Sequence, residues 1–339
     1  MTIRSEAKPP PWRDARKLEI AAQALFVLLL ALAVWGSAVT LERSFIRQNI
    51  RLNWGFFRQP AGFEISALTW TIDLETWRLK EYEPTDSYAE AMIAGVVNTL
   101  KVAALGITLG TVVGVLIGVL RLSRNWLVNR LALAYVEFLR NTPLLVQLFF
   151  WYFAVFLQLP DGSAQHPPVR FFNDFILLTN SGLVFGGTVV ERFNRLIVDG
   201  GLQLTTELAA LVVGLAAYTS SFIAEIIRGG ILAVSRGQME AARSLGLTYG
   251  LALRLIVLPQ ALRIVIPPLG SQFLNLTKNS SLALGIGYAE FLTAANTVSS
   301  QSFRSLETFS VVTLGYLIIS LVISAIVNLI RSQLRVPAT

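Results

Sequence analysis

Six mostly apolar stretches recur along the chain, and each has at least the roughly 20 residues that a helix needs to cross the hydrocarbon core of a bilayer. They fall at residues 20–40, 94–120, 132–159, 202 to about 227, 257 to about 291, and 308–330. The first, IAAQALFVLLLALAVWGSAVT, contains no charged residue. No water is present in lipid to satisfy a backbone N–H or C=O, so such runs become helices, which close their hydrogen bonds internally. The expected fold is an all-α integral membrane protein with about six transmembrane helices. Charged residues make up only 14% of the chain, against about 25% in soluble domains.

The run at 20–40 has basic residues before it and GSAVT at its end, as a signal peptide has. Its apolar core is longer than a signal peptide's, so it is expected to remain as a membrane helix. Six spans place both ends of the chain on one side. Arg4, Lys8, Arg13, Arg16 and Lys17 precede the first run, Arg121, Arg124 and Arg130 follow the second, Arg228, Arg236, Arg243 and Arg254 follow the fourth, and Arg331 and Arg335 follow the sixth. Basic residues accumulate on cytoplasmic loops, so residues 1–19 and 333–339 are expected in the cytoplasm and loops 41–88 and 160–200 outside it. The net charge of +7 is explained by this bias, without nucleic acid. The 41–88 loop is too short for a sizeable core, and its Trp54, Trp70 and Trp77 suit the membrane surface. With no cysteine, and one histidine, His166, in a polar loop, thiol chemistry is excluded and no metal site is expected.

The stretch QMEAARSLGLTYGLALRLIVLPQ, residues 238–260, is too polar to span lipid. A helix over about 235–245 places Met239, Ala242 and Leu245 on one side. Ala241 and Ala242 leave little bulk, Gly246 ends the helix, and Pro259 suits the start of the next one. Two short helices held at an angle make either an amphipathic element lying on lipid or a surface that another protein grips.

The spacing of Glu240-Ala241-Ala242, Gly246, Ile256 and Leu258-Pro259 resembles the EAA loop of bacterial ABC importer permeases. YVEFLRNTPLLVQLFFWY (135–152), SFIAEIIRGGI (221–231) and LTKNSSLALGIG (276–287) look like the polar amino-acid branch of that family, the histidine/glutamine type. The extra first helix and the 41–88 loop make the chain most similar to the Q-type membrane subunit of general L-amino-acid transporters. The resemblance implies a type I importer transmembrane domain over 89–332, a five-helix core plus one extra helix. It implies that Glu240, Ala241, Ala242, Gly246, Ile256, Leu258 and Pro259, in a coupling loop at 235–258, dock on an ATPase subunit.

Polar side chains inside spans are costly and are functional candidates. Glu137, Arg140, Thr142 and Gln147 lie in the third run. Glu137 and Arg140 are three apart and able to pair, and the group either serves the path or braces the bundle. The fifth run has 35 residues and is interrupted by Pro267, Pro268 and Gly270, with Gln272, Asn275, Lys278, Asn279, Ser280 and Ser281 beyond. Broken helices often form transporter sites. For an amino-acid substrate, Lys278 is placed to counter the carboxylate, with Tyr218, Gln272, Asn275, Asn279 and Ser280 as hydrogen-bonding partners.

The chain has no G-x-x-x-x-G-K-[ST] motif. ATP and magnesium therefore belong to a separate ATPase, and this subunit is expected to bind no cofactor. A periplasmic amino-acid-binding protein and a second, related membrane subunit are also expected, in a bacterial inner membrane. The narrower alternative is a permease for one polar class of amino acid. A carrier working without ATP leaves the 235–258 loop without a purpose. A membrane enzyme lacks its nucleophile–base pair or HExxH motif. The topology is open to test, because impermeant thiol reagents should label Pro60→Cys in intact cells and leave Ser5→Cys untouched. The reverse pattern overturns the map.

Overall fold

The structure, a computed structural model, describes residues 15–47, 51–65, 69–162, 166–173, 175–192 and 195–333. Arg4, Lys8, Arg13 and Arg335 lie outside these. The chain forms two compact units, residues 1–53 and 54–339. In the first, α1 (Ala15–Arg47) is a single helix whose Phe26, Leu29 and Trp35 side chains are exposed, as a lipid-facing helix requires. Ser37, Thr40 and Ser44 turn their hydroxyls back onto carbonyls four residues earlier, which satisfies them without water.

The second unit opens with a short turn at Trp54–Arg58 and a hairpin of β1 (Trp70–Ile72) and β2 (Leu79–Glu81). Trp54, Trp70 and Trp77 are exposed, but Phe56, Ala61 and Tyr82 are drawn into a core shared with Tyr88, Met92 and Phe291. The segment therefore borrows a core rather than building one. The Thr71 hydroxyl donates to the Glu90 carbonyl at 2.7 Å. The Lys80 ammonium bridges Asp86 at 2.7 Å and Glu90 at 3.2 Å, and its pKa is raised, most of all by the hydrogen bond to Asp86.

Helix α2 (Tyr88–Leu120) begins six residues before its apolar run. A capping box starts it: the Ser87 hydroxyl accepts from the Glu90 N–H, and the Glu90 carboxylate accepts from the Ser87 N–H at 2.8 Å. Next come α3 (Trp126–Asn141) and α4 (Leu144–Phe149), the latter extended by wider and then tighter turns to Gln158. The third run is thus no straight span. Its two halves bend by 106° at Thr142-Pro143. Proline disfavours helical backbone in the residue before it, and Thr142 is extended at φ −99°, ψ 132°.

Strands β3 (Val169–Phe171), β4 (Ile176–Thr179) and β5 (Gly182–Phe185) follow, then a separate hairpin of β6 (Thr188–Arg192) and β7 (Arg195–Asp199), and β8 (Leu202–Thr205). The larger sheet is antiparallel in the order β3-β4-β5-β8. Leu202, read from the sequence as the start of a span, belongs to β8, and α5 (Thr206–Leu232) starts four residues later, capped by Thr205. A four-residue strand with two leucines, running straight into an apolar helix, is too short to register as a break in a hydropathy count.

The chain closes with α6 (Arg236–Ser244), α7 (Tyr249–Ala252), α8 (Leu258–Asn279), α9 (Phe291–Ser302) and α10 (Ser305–Gln333). Among the described residues, five helical stretches are long and apolar enough to cross a membrane, or six when the bent pair counts as one span. Helix α8 does not break at Pro267-Pro268 as the sequence suggested; both prolines lie inside it. A proline removes one donor, but its fixed φ is helical. Gly270 then lets α10 close in, with Val327 filling the space a Cβ would take, at 2.5 Å. The break comes later, in the tight turns Ser280–Ile286 and at Gly287, whose φ is +79°.

The most intimate packing is between α2 and α5. Gly106, Gly110, Gly114 and Gly118 recur every four residues on one face of α2. A Cβ on Gly114 would stand 2.6 Å from that of Ile223 and 2.9 Å from the Ser220 carbonyl oxygen. Small residues at such contacts let helix backbones approach where the hydrophobic effect gives no drive. Gly114→Leu is expected to destabilise the purified complex by about 2–3 kcal/mol through overpacking. It should melt at least about 5 °C lower in detergent, while Gly229→Ala, with no neighbour within 4 Å, should not.

Candidate functional site

Helix α6 ends in a left-handed cap. Gly246 has φ +86°, its N–H donates to the Arg243 carbonyl at 2.9 Å, and the Leu247 N–H donates to the Ala242 carbonyl at 3.2 Å. These two bonds satisfy carbonyls that the helix end would orphan. Nothing lies within 4 Å of a Cβ at Gly246, so the requirement for glycine is conformational. Ala242 is buried against the loop's own second half, while Glu240 and Ala241 face outward. Leu245 departs from expectation: it is 84% exposed, because it caps the helix and the chain has already begun to turn away. Ile256 is half-buried between buried Ala252 and Val257, and Leu258 and Pro259 open α8 with their side chains exposed. The loop is therefore an ordered projection whose outward side mixes Glu240 and Arg243 with the exposed apolar side chains of Leu245, Tyr249 and Leu255. At its root, Gly230 packs directly on Val265 of α8.

The polar residues of the third run divide. Glu137 and Arg140 do not pair: Glu137 is exposed, and the Arg140 guanidinium lies 5.0 Å over the ring of Phe222, a cation–π contact. Gln147 is buried and donates to the carbonyls of Leu139 at 2.8 Å and Thr142 at 3.0 Å. The bend at Pro143 deprives helix carbonyls of their partners, and this amide supplies donors in their place. The Thr142 hydroxyl donates to the Phe138 carbonyl. Thr142 and Gln147 thus stabilise one kink, while Glu137 and Arg140 stand apart.

On α8, Gln272, Asn275 and Asn279 share a face, with Lys278 beside it. Asn275 and Lys278 are exposed, and Gln272 and Asn279 half-buried. Ser280 is buried and donates to the Thr277 carbonyl at 2.7 Å, so its hydroxyl is committed to the helix end rather than open to a ligand. Tyr218 is half-buried on α5 and packs on Phe222 with ring centroids 4.9 Å apart. The chain by itself thus presents an open polar edge on α8.

Three groups missed from the sequence are ordered in the fold. The Glu225 carboxylate receives Arg121 on one oxygen at 2.7 Å and Arg228 on the other at 2.8 Å. Glu290, fully buried, caps α9: it accepts from the Thr293 N–H at 2.9 Å, the Tyr316 hydroxyl at 2.6 Å and the Thr99 hydroxyl at 3.4 Å. Asn98 donates to the Ala289 carbonyl at 2.8 Å. The available signal was an acid embedded in an apolar run, present at both Glu225 and Glu290; each has one partner three residues on, Arg228 and Thr293, but Arg121 lies 104 residues from Glu225, and Tyr316 and Thr99 lie 26 and 191 from Glu290.

The family profile described as "Binding-protein-dependent transport system inner membrane component" matches residues 106–336. The chain is 37% identical over 382 residues to the putative amino-acid ABC transporter permease protein YhdX of Escherichia coli (strain K12), covering 92% of this chain and 94% of that protein. It is 34% identical over 387 residues to the general L-amino acid transport system permease protein AapQ of Rhizobium johnstonii, covering 95% and 93%. A chain in the crystal structure of an amino acid ABC transporter with histidines superposes with a TM-score of 0.55 at 29% identity, over 73% of this chain and 95% of that one. An inward-facing MetNI methionine ABC transporter shares the fold, with a TM-score of 0.52 at 19% identity, over 73% and 97%.

Proposed function

This chain belongs to the binding-protein-dependent transport system inner membrane component family and is a transmembrane subunit of an amino-acid ABC importer, and from that premise we propose how it works and what it carries. The substrates are L-amino acids of several side-chain classes. The general L-amino acid permease, matched along almost its whole length, supports that breadth. A capture protein outside the inner membrane delivers them, and both termini of this chain face the cytoplasm. The path is completed by a second, related but distinct membrane subunit, which covers the polar edge of α8. ATP and magnesium are bound by ATP-binding cassette subunits, with this chain supplying no catalytic group.

The observation that carries the mechanism is the projection of α6 and α7 joined through the left-handed cap at Gly246. Glu240, Ala241 and Ala242 sit on its first helix, and Ile256, Leu258 and Pro259 tie its second half to α8. A preformed element of this kind docks into a groove without first being ordered, so displacement of the ATPase moves α5 and α8 directly. Gly246→Asp should leave the protein inserted in the membrane and abolish uptake, since a side chain there resists the left-handed turn. Normal uptake by that variant removes the docking assignment.

On the substrate side, Lys278 pairs with the carboxylate common to every amino acid, with Gln272, Asn275, Asn279 and Tyr218 as neutral hydrogen-bonding partners. A charge-assisted contact is worth about 1.5–3 kcal/mol, or roughly tenfold to more than a hundredfold in affinity. Lys278→Met should therefore weaken uptake of neutral, acidic and basic substrates alike, with capture-protein binding untouched and assembly with the ATPase intact. Selective loss of acidic substrates would make Lys278 a selectivity residue, and unchanged rates would place it outside the path.

A further inference from the structure

We propose that Glu225 and Arg121 lock α2 to α5, so that the two helices move as one body when the 235–258 loop is displaced. The proposal rests on the assignment of that loop as the ATPase contact. It identifies Glu225 and Arg121 as positioning residues, acting through helix packing and not on substrate.

The geometry is continuous from the loop into the membrane. At the loop's root, α5 and α8 touch at Gly230, Val265 and Ala261. One turn earlier on α5, Arg228 holds one oxygen of Glu225 through its Nε at 2.9 Å and its other nitrogen at 2.8 Å. Arg121, the residue that caps α2, holds the other oxygen through its Nε at 3.2 Å and Nη2 at 2.7 Å. The carboxylate therefore accepts three charge-assisted hydrogen bonds on its two oxygens, with a fourth ion-pair contact from Arg228. Arg228 shares its helix and orients the acid; Arg121 comes from α2 and carries the cross-link. Above the lock, a Cβ on Gly118 would stand 2.8 Å from the Ala224 carbonyl oxygen and 2.9 Å from the Ile227 Cβ, and Gly114 and Gly110 continue the same contact to Ser220 and Ala216. A glycine seam alone permits close approach but offers little resistance to sliding along the helix axes. An ion pair at its end supplies that resistance, because sliding separates charges that have shed most of their water. Arg121 also accepts through its backbone carbonyl from the Asn129 side chain of α3, which extends the tie to a third helix.

The test uses the reconstituted importer with its ATPase and capture protein, and reads amino acid taken up per ATP hydrolysed. Glu225→Gln should assemble and hydrolyse ATP but lose about tenfold in that ratio, within the range of coupling between linked sites. The reciprocal exchange Arg121→Glu with Glu225→Arg then rebuilds the lock with its charges reversed, and Arg228 keeps its place beside it. The exchange should restore the ratio that Glu225→Arg alone loses, as opposite charges again face each other across the two helices. A Glu225→Gln importer with a native ratio overturns the proposal, and so does an exchange that fails to restore the ratio. Failure of the loop assignment is distinguishable, because it appears as normal uptake by Gly246→Asp whatever the exchange does.

Discussion

The approach of α2 to α5 along Gly110, Gly114 and Gly118, with Gly106 one turn further on against Leu276 of α8, is the contact on which the rest of the permease body depends. Helices in lipid gain nothing from the hydrophobic effect by meeting one another. Their association rests on dispersion across close contacts, and a row of glycines brings backbone to within a few ångströms of backbone. Once α5 is seated, Leu208, Leu211 and Leu215 form a buried cluster with Val102 of α2, Leu148 of α4 and Leu276 of α8. The other helices are thus assembled around this pair.

The breaks in the helices are as ordered as the helices. Pro143 forces a bend and Gln147 supplies donors for the carbonyls that the bend exposes. Gly287 and the Glu290 cap turn the chain after α8, and Tyr316 and Thr99 complete the hydrogen bonds of a carboxylate that would otherwise be buried at high cost. Gly246 ends α6 with both cap bonds made. In each case a side chain or cap answers for backbone that has left the helical ladder, as a low-dielectric surrounding demands. The turns of the permease body are therefore hydrogen-bonded as fully as its helices, which suits the proposed passage of a displacement from the 235–258 loop.

Family and function are consistent with this physical picture. On the proposed reading, an importer subunit receives force at one end and changes substrate access at the other. The α6–α7 projection, the Gly230 contact with α8 and the α2–α5 seam form a connected mechanical route between those ends. The Trp54–Ser87 segment lies at the opposite end of α2, bound through Thr71, Lys80 and Glu90, so it is carried by the same helix.

Much of this was legible in the residues. Apolar runs near the length of a bilayer determined the helices, since no other local structure satisfies the backbone in lipid. The Glu240–Pro259 spacing determined the loop, and Gly246 its cap, because only a residue without a Cβ enters the left-handed region freely. What the sequence left undecided was everything set by distant partners. Pro267-Pro268 had the makings of a break, and the helix runs through them, with α10 seated on Gly270 just beyond. Glu137 and Arg140 had the spacing of a pair, and the ring of Phe222 took the guanidinium instead. Leu202–Thr205, with Leu202 and Leu204 directly before the apolar run of α5, became a strand through its pairing with β5. Periodicity and spacing report what a segment can do alone. Which of the permitted states it adopts, and which buried charge meets which, follows from the tertiary fold, where residues far apart in the chain satisfy each other's hydrogen bonds.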